Sequence, residues 1–207
     1  MKRVVLVLVA VAVAVALVAA GTGCRREPVV IVEETTVAPP SSASAPGTIP
    51  IGEFLAMVNT ALGRDEYGEV AFRLDQAVAY ESAAEDEMLY IFHNGDCEIV
   101  FFAGAKSGNF LQAYVRTQII DDAVTEYMLM FAKVFMYVLE PNECSNIVES
   151  INAQFAELEA SVDFDSFEDP DDAQSYFDEL LNENGLTGYG EIWSMTYRAG
   201  LVNVQPK

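Results

Sequence analysis

Two apolar stretches joined by an Asn-Gly step limit the fold of this chain more than anything else in it. Met88–His93 and Cys97–Ala103 flank Asn94-Gly95, the dipeptide that best accommodates the positive φ angles of a type I′ hairpin turn. A two-residue loop there opposes Phe92 with Cys97, Tyr90 with Ile99 and Met88 with Phe101, so these six side chains share one face. The other face carries Leu89, Ile91, Val100 and Phe102, interrupted by Glu98, and is expected to be largely covered as well. A second turn, Lys106-Ser107-Gly108-Asn109, leads to a third strand from Phe110 to Gln118. The result is a three-stranded meander over 88–118.

Helical spacing dominates much of the rest. Ile51, Phe54, Leu55, Val58 and Leu62 form one stripe, which Gly63 ends. Asp121 or Asp122 caps a helix that runs to about Leu139 and stops before Pro141. From Ala123 to Leu139 only Thr125, Glu126 and Lys133 are overtly polar, the pattern of a helix buried on nearly every side. Ile147, Ile151, Phe155 and Leu158 line up on a further helix. Asp169-Pro170-Asp171-Asp172 then combines an N-cap, a first-position proline and acids in the first turn. Its stripe is Ala173, Tyr176, Phe177, Leu180 and Leu181, and Asn184-Gly185 closes it. Glu69–Leu74 alternates as a strand, and residues 75–87 fit strand or helix equally. Tyr189–Arg198 and Leu201–Val204 form a closing hairpin around Ala199-Gly200. Strands and helices in blocks, without βαβ alternation, predict an α+β fold. Its antiparallel sheet holds the meander and the C-terminal hairpin, packed with about four helices in a single domain over 50–207.

The first two dozen residues carry an address. Lys2 and Arg3 precede Val4–Ala20, which contains no polar residue. This apolar run exceeds the ~7–15 residues usual in a secretory signal and falls just short of the ~18–20 needed to span a bilayer. Thr22 and Gly23, both small, then lead to Cys24. Here the chain resembles the lipobox of bacterial lipoprotein signal peptides, in which small residues precede a cysteine that becomes the lipidated N-terminus. Gly21 stands where that pattern usually has Leu or a similar aliphatic residue. The resemblance covers the first 24 residues. It implies that 1–23 is a signal peptide, that Cys24 carries the lipid, and that the remainder is extracytoplasmic and held to the cell membrane by that anchor. The alternative is an uncleaved signal anchor. There Lys2 and Arg3, set against Arg25 and Arg26 with Glu27 beside them, again leave the C-terminus outside. Residues 24–49 contain Pro28, Pro39, Pro40, Pro46 and the run Ser41-Ser42-Ala43-Ser44-Ala45, a tether by composition. Within it Pro28-Val29-Val30-Ile31-Val32 fits either tether or edge strand.

Charge excludes one class of partner. With 11 Lys and Arg against 32 Asp and Glu, the formal charge is -21, and nothing could neutralise a row of nucleic-acid phosphates. Adhesion to anionic lipid by surface charge is disfavoured for the same reason. One histidine, His93, sits at the lip of a turn and reads as a solvated residue, so a His-rich metal set is ruled out. Cys97 and Cys144 are candidates for a disulfide closing a loop of about 48 residues, contributing roughly 4 kcal/mol on the chain-entropy model; two buried thiols are the alternative. Gly104-Ala105-Lys106-Ser107-Gly108 lacks the glycine before lysine of a P-loop, and Ala105 replaces the glycine that a nucleophile elbow needs.

Acidic and aromatic residues supply the remaining candidates. Asp163, Asp165, Glu168, Asp169, Asp171 and Asp172 offer hard oxygens that suit Ca²⁺ or a basic partner. Equally they form a solvated acidic face, with Phe164 and Phe167 as anchors. An EF-hand fails, because Phe167, Glu168 and Gln174 fall at its fifth, sixth and twelfth positions. Tyr189, Trp193, Met195 and Tyr197 alternate onto one strand face, which is either core or a stacking platform for a small molecule or glycan. No catalytic residue set assembles. The leading expectation is a membrane-anchored extracytoplasmic lipoprotein with a non-catalytic binding domain, its partner a basic envelope protein or a small ligand. A small-molecule or glycan-binding lipoprotein and a wall-directed carboxylate hydrolase are the alternatives. No cofactor is expected, Ca²⁺ being the one ion the acids suggest.

Overall fold

A computed structural model describes residues 42–64, 71–82, 86–120 and 122–207. The expected signal peptide, Cys24 and the tether up to residue 41 lie outside the described residues. The protein is α+β, with one antiparallel sheet of seven strands and four α-helices among the described residues. The strands are β1 (Val78–Ser82), β2 (Glu87–Asn94), β3 (Cys97–Gly104), β4 (Phe110–Thr117), β5 (Leu186–Tyr189), β6 (Trp193–Arg198) and β7 (Leu201–Pro206). Their spatial order is β1-β2-β3-β4-β7-β6-β5. The helices are α1 (Ile51–Arg64), α2 (Asp122–Leu139), α3 (Cys144–Ser161) and α4 (Pro170–Asn184).

The meander forms with its faces as expected and its register moved. Asn94 pairs with Cys97, Phe92 with Ile99, Tyr90 with Phe101 and Met88 with Ala103. Gly95 takes φ 59° and Asp96 has no positive φ. The loop is therefore Gly95-Asp96, with glycine at the first central position as in a II′ turn, and Asn94 remains in the strand. A slip of two preserves side-chain parity, so Phe92, Cys97, Ile99 and Phe101 still face the core together. β7 pairs with β4, which joins the C-terminal hairpin to the meander in one sheet.

Three local expectations fail for identifiable reasons. Residues 71–73 have no strand partner, and Leu74–Gln76 is a turn of 3-10 helix. Phe72 is held instead by Asn59, whose side-chain oxygen accepts its N–H and whose amide donates to its carbonyl. The long strand Tyr189–Arg198 is two strands, β5 and β6, because residues 190–192 turn around a buried carboxylate. The tether does not continue to residue 49. Ser44 donates its N–H to the Leu139 carbonyl at 2.9 Å, Gly47 to Phe110 at 3.0 Å, and Phe110 donates back to Ile49 at 2.7 Å.

The core lies between the helices and one face of the sheet. Phe54 of α1 stacks on Phe110 at 3.9 Å between centroids and meets Phe101 edge-on. Phe72 contacts Phe92, Phe101, Phe131 and Phe135, and Phe110 reaches Trp193. Offset and edge-to-face rings of this kind contribute beyond the area they bury. α2 buries Met128, Phe131, Phe135 and Met136 in this layer, as its sequence predicts. No described helix is long and apolar enough to cross a membrane. The cap of α4 also forms as expected, Asp169 accepting the Asp171 N–H at 2.9 Å.

Cys97 and Cys144 are both buried free thiols, so the disulfide is not formed. Cys144 donates its thiol to the Lys133 carbonyl at 3.5 Å. Burial pushes both thiols up, helped at Cys97 by Asp96 and opposed at Cys144 by Lys133. The folded state thus keeps protons that the unfolded chain releases. Stability is complete below the free-thiol pKa of about 8.5 and is lost as pH rises through the higher folded values. Peptide mapping after alkylation at neutral pH should find Cys97 and Cys144 unmodified in the native protein and labelled once it is unfolded. Rapid native labelling would contradict the burial.

Candidate functional site

Glu140 follows the last residue of α2 and is 1 % exposed. A negative charge at a helix C-terminus is electrostatically unfavourable, so its partners matter. Its carboxylate accepts the backbone N–H of Glu191 at 2.9 Å, of Trp193 at 2.8 Å, and of Ile192 between them. Its own carbonyl accepts from Glu143 and Cys144, starting α3. Gly190 makes the approach possible, since a Cβ there would stand 1.5 Å from Glu140 Oε2. Trp193, held at its backbone by Glu140, donates its indole N–H to the Ser44 carbonyl at 2.6 Å. The point where the chain enters the fold is thereby fastened to α2 and β6. A cleft of about 170 Å³ beside it is lined by Ser42, Ala43, Glu140, Asn142, Glu143 and Glu191. Both Glu140 oxygens are engaged by amides, while Glu143 and Glu191 line the same cleft.

The face of the sheet opposite α1 and α2 differs in character. By register it carries Val78 and Tyr80 of β1, Leu89, Ile91 and His93 of β2, Glu98, Val100 and Phe102 of β3, and Gln112, Tyr114 and Arg116 of β4. Coverage was expected here, yet no described helix lies over the β1–β4 part. Val78 is 45 % and Tyr80 56 % exposed, Leu89, Ile91, Phe102 and Tyr114 are half-buried, and Val100 is closed off between Ile91 and Tyr114. Phe102 and Tyr114 are in ring contact at 5.7 Å. Arg116 lies 5.8 Å from the Tyr114 centroid and pairs with Glu98 at 2.7 Å; partly exposed, that pair adds at most about 1 kcal/mol. Burial raises the Tyr114 phenol above its usual value, so it stays a neutral donor at neutral pH. At the Arg116 end a hollow of about 300 Å³ is lined by His93, Asp96, Glu98, Arg116, Thr117 and Gln118. The surface is thus an aliphatic and aromatic band with a polar, charge-paired end.

The other candidates are dispersed. Trp193 is 0 % and Tyr197 4 % exposed, both in the core, while Tyr189 is 65 % exposed on β5. A stacking platform of these three does not form, because the β6 face that bears Trp193, Met195 and Tyr197 is the helix-covered one. Asp163, Asp165, Glu168, Asp169, Asp171 and Asp172 are all exposed. Among the described residues no group of three or more His, Cys, Asp or Glu side chains is placed to hold a metal ion. Phe164 does anchor the segment, 5.8 Å from Phe177, and Phe167 meets Tyr176. His93 is exposed, as its turn position predicts. Glu140 was missed by the sequence reading; the available signal was an acid directly after a long apolar helix, a position that requires compensation. Comparison with known proteins finds no matching family model, curated protein or solved structure.

Glu140→Ala strands three amides and should cost at least about 3 kcal/mol in denaturant unfolding. Gly190→Ala, which expels the same carboxylate, should cost a similar amount, with the Trp193 emission shifted in both. A change within about 0.5 kcal/mol for Glu140→Ala would show that the carboxylate does not organise this junction.

Proposed function

We propose that this protein is a lipid-anchored extracytoplasmic lipoprotein whose acidic α+β domain is a non-catalytic binding module. In this reading residues 1–23 are the signal peptide, Cys24 bears the lipid, and the segment up to Ser44 is the tether. The observation that carries it is the bare β1–β4 face. Soluble domains rarely expose contiguous aliphatic and aromatic side chains without a partner for them. The band from Val78 and Tyr80 to Phe102 and Tyr114 is such a surface, with Arg116 and Glu98 at its rim. Aromatic residues and arginine are also the types enriched where proteins meet. A net charge of -21 fits a domain that must stay in solution close to a negatively charged membrane. Burial of Trp193 and Tyr197 removes two of the three rings that a glycan platform would use.

Two measurements on the full chain in its own cells test this reading. Cys24→Ser should abolish fatty-acid incorporation and leave residues 1–23 attached, by intact mass. A photo-crosslinking side chain at Phe102 should capture a partner that the same side chain at exposed Tyr176, on α4, does not. Undiminished fatty-acid labelling in Cys24→Ser would overturn the anchor. Equal capture at both positions, or none at Phe102, would overturn the binding face.

A further inference from the structure

The two edges of the seven-stranded sheet are treated differently. At β5 the outer edge is closed by a side chain: Gln154 of α3 donates to the Thr187 carbonyl at 2.9 Å and accepts the Thr187 N–H at 3.1 Å. An amide side chain there takes the place of a neighbouring strand. At the opposite edge, β1 is registered along its full length with β2, from Val78↔Ile91 to Ser82↔Glu87. No described residue bonds to its other side. Edge strands are ordinarily blunted by short length, charged side chains, proline or a bulge. Val-Ala-Tyr-Glu-Ser is short and carries one charge, Glu81, but has no lysine, proline or bulge, and its Val78 and Tyr80 side chains are among the exposed large apolar groups of the domain.

We infer that β1 is a dimerisation edge, and that its occupant is β1 of a second copy of this chain. The strand is self-complementary in one antiparallel register, with the twofold axis at its central residue. Tyr80 then opposes Tyr80 of the second copy, Val78 opposes Ser82, and Ala79 opposes Glu81. The single charge of the strand, Glu81, thus faces alanine rather than its own copy. Moving the axis to Glu81 would place two carboxylates directly opposite each other, which is destabilising; moving it to Ala79 shortens the ladder. Opposed residues of an antiparallel pair lie on the same face, so the two tyrosines meet on the bare side. The two aliphatic and aromatic bands then become one. The axis runs perpendicular to the sheet, and the two chain entries at Ser44 fall at opposite ends of the merged sheet. An isologous contact built on one short strand is small, and the association is correspondingly weak and concentration-dependent.

The test uses the full-length chain in native membranes under mild oxidation. Directly opposed residues have Cα atoms about 4.5–5.5 Å apart, within disulfide range, so Tyr80→Cys should give a covalent dimer. Val78 lies about 13 Å along the ladder from its own copy, so Val78→Cys should stay at the level of the parent. In detergent at high protein concentration, Tyr80→Lys should lose the self-association seen by sedimentation. An equimolar mixture of Tyr80→Lys and Tyr80→Glu should regain it as a mixed dimer. Tyr80→Cys coupling no more than Val78→Cys, Tyr80→Lys associating like the parent, or a mixture that stays monomeric would each overturn the proposal. Phe102 lies two strands inward, so failure here leaves capture at the bare face standing or falling on its own.

Discussion

One buried carboxylate ties together the parts of this fold that are distant in sequence. Burying an ion is costly unless its oxygens are satisfied, and Glu140 meets that condition with three consecutive backbone amides of residues 191–193. Those amides would themselves be costly to bury without an acceptor. The two requirements cancel in one place. The turn fixes where β6 begins, which puts Trp193 into the core with its indole N–H aimed at Ser44. α2 is thereby terminated, α3 started, and the chain entry fastened by the same few atoms.

From that junction the sheet acquires two unlike faces. The inner one receives α1 and α2 and the ring network around Phe54, Phe72, Phe101 and Phe135. The outer one keeps a band of aliphatic and aromatic side chains with no described helix over β1–β4. The charge of the domain is distributed accordingly. The acids of 163–172 lie on the exposed segment ahead of α4 and in its first turn, at a helix N-terminus where negative charge is favourable. The bare face carries a Glu98–Arg116 pair and few other charges. Among the described residues, a surface low in net charge is where a strongly acidic protein least resists close approach by another acidic molecule, a second copy included.

Where local chemistry decides, the sequence was legible. Asp169-Pro170 specified the start of α4, Asp122 to Leu139 specified a buried helix, and the strands of the meander fell within a residue or so of their observed ends. Where long-range contacts decide, it was not. The register of β2 on β3 depended on whether Asn94 or Gly95 opened the turn, and both choices satisfy the same alternation. Phe72 alternates as a strand residue would, yet Asn59 supplies the hydrogen bonds that a neighbouring strand would have supplied. Tyr189–Arg198 reads as one strand because nothing local reveals a carboxylate, some fifty residues earlier, that bends it at Gly190. Cys97 and Cys144 could be paired on paper because spacing along a chain says nothing about separation in the fold, where both are buried free thiols.

The most informative failure concerns the second face of the hairpin. Leu89, Ile91, Val100 and Phe102 look like core by composition, and alternation with a second apolar set looks like a strand covered on both sides. Covering both faces takes helices on both sides, and α1 and α2 spend their apolar stripes on one side. α3 and α4 serve the β5–β6 end, where Gln154 closes the edge and Ile147 and Phe177 enter the core. The apolar residues of the outer face therefore exceed what the described helices cover. In a chain with so much negative charge, such an excess adds little to folding and is difficult to account for by solubility. It is accounted for if the missing layer belongs to another molecule, which makes the residues that misled the reading of the core the ones that carry the reading of function.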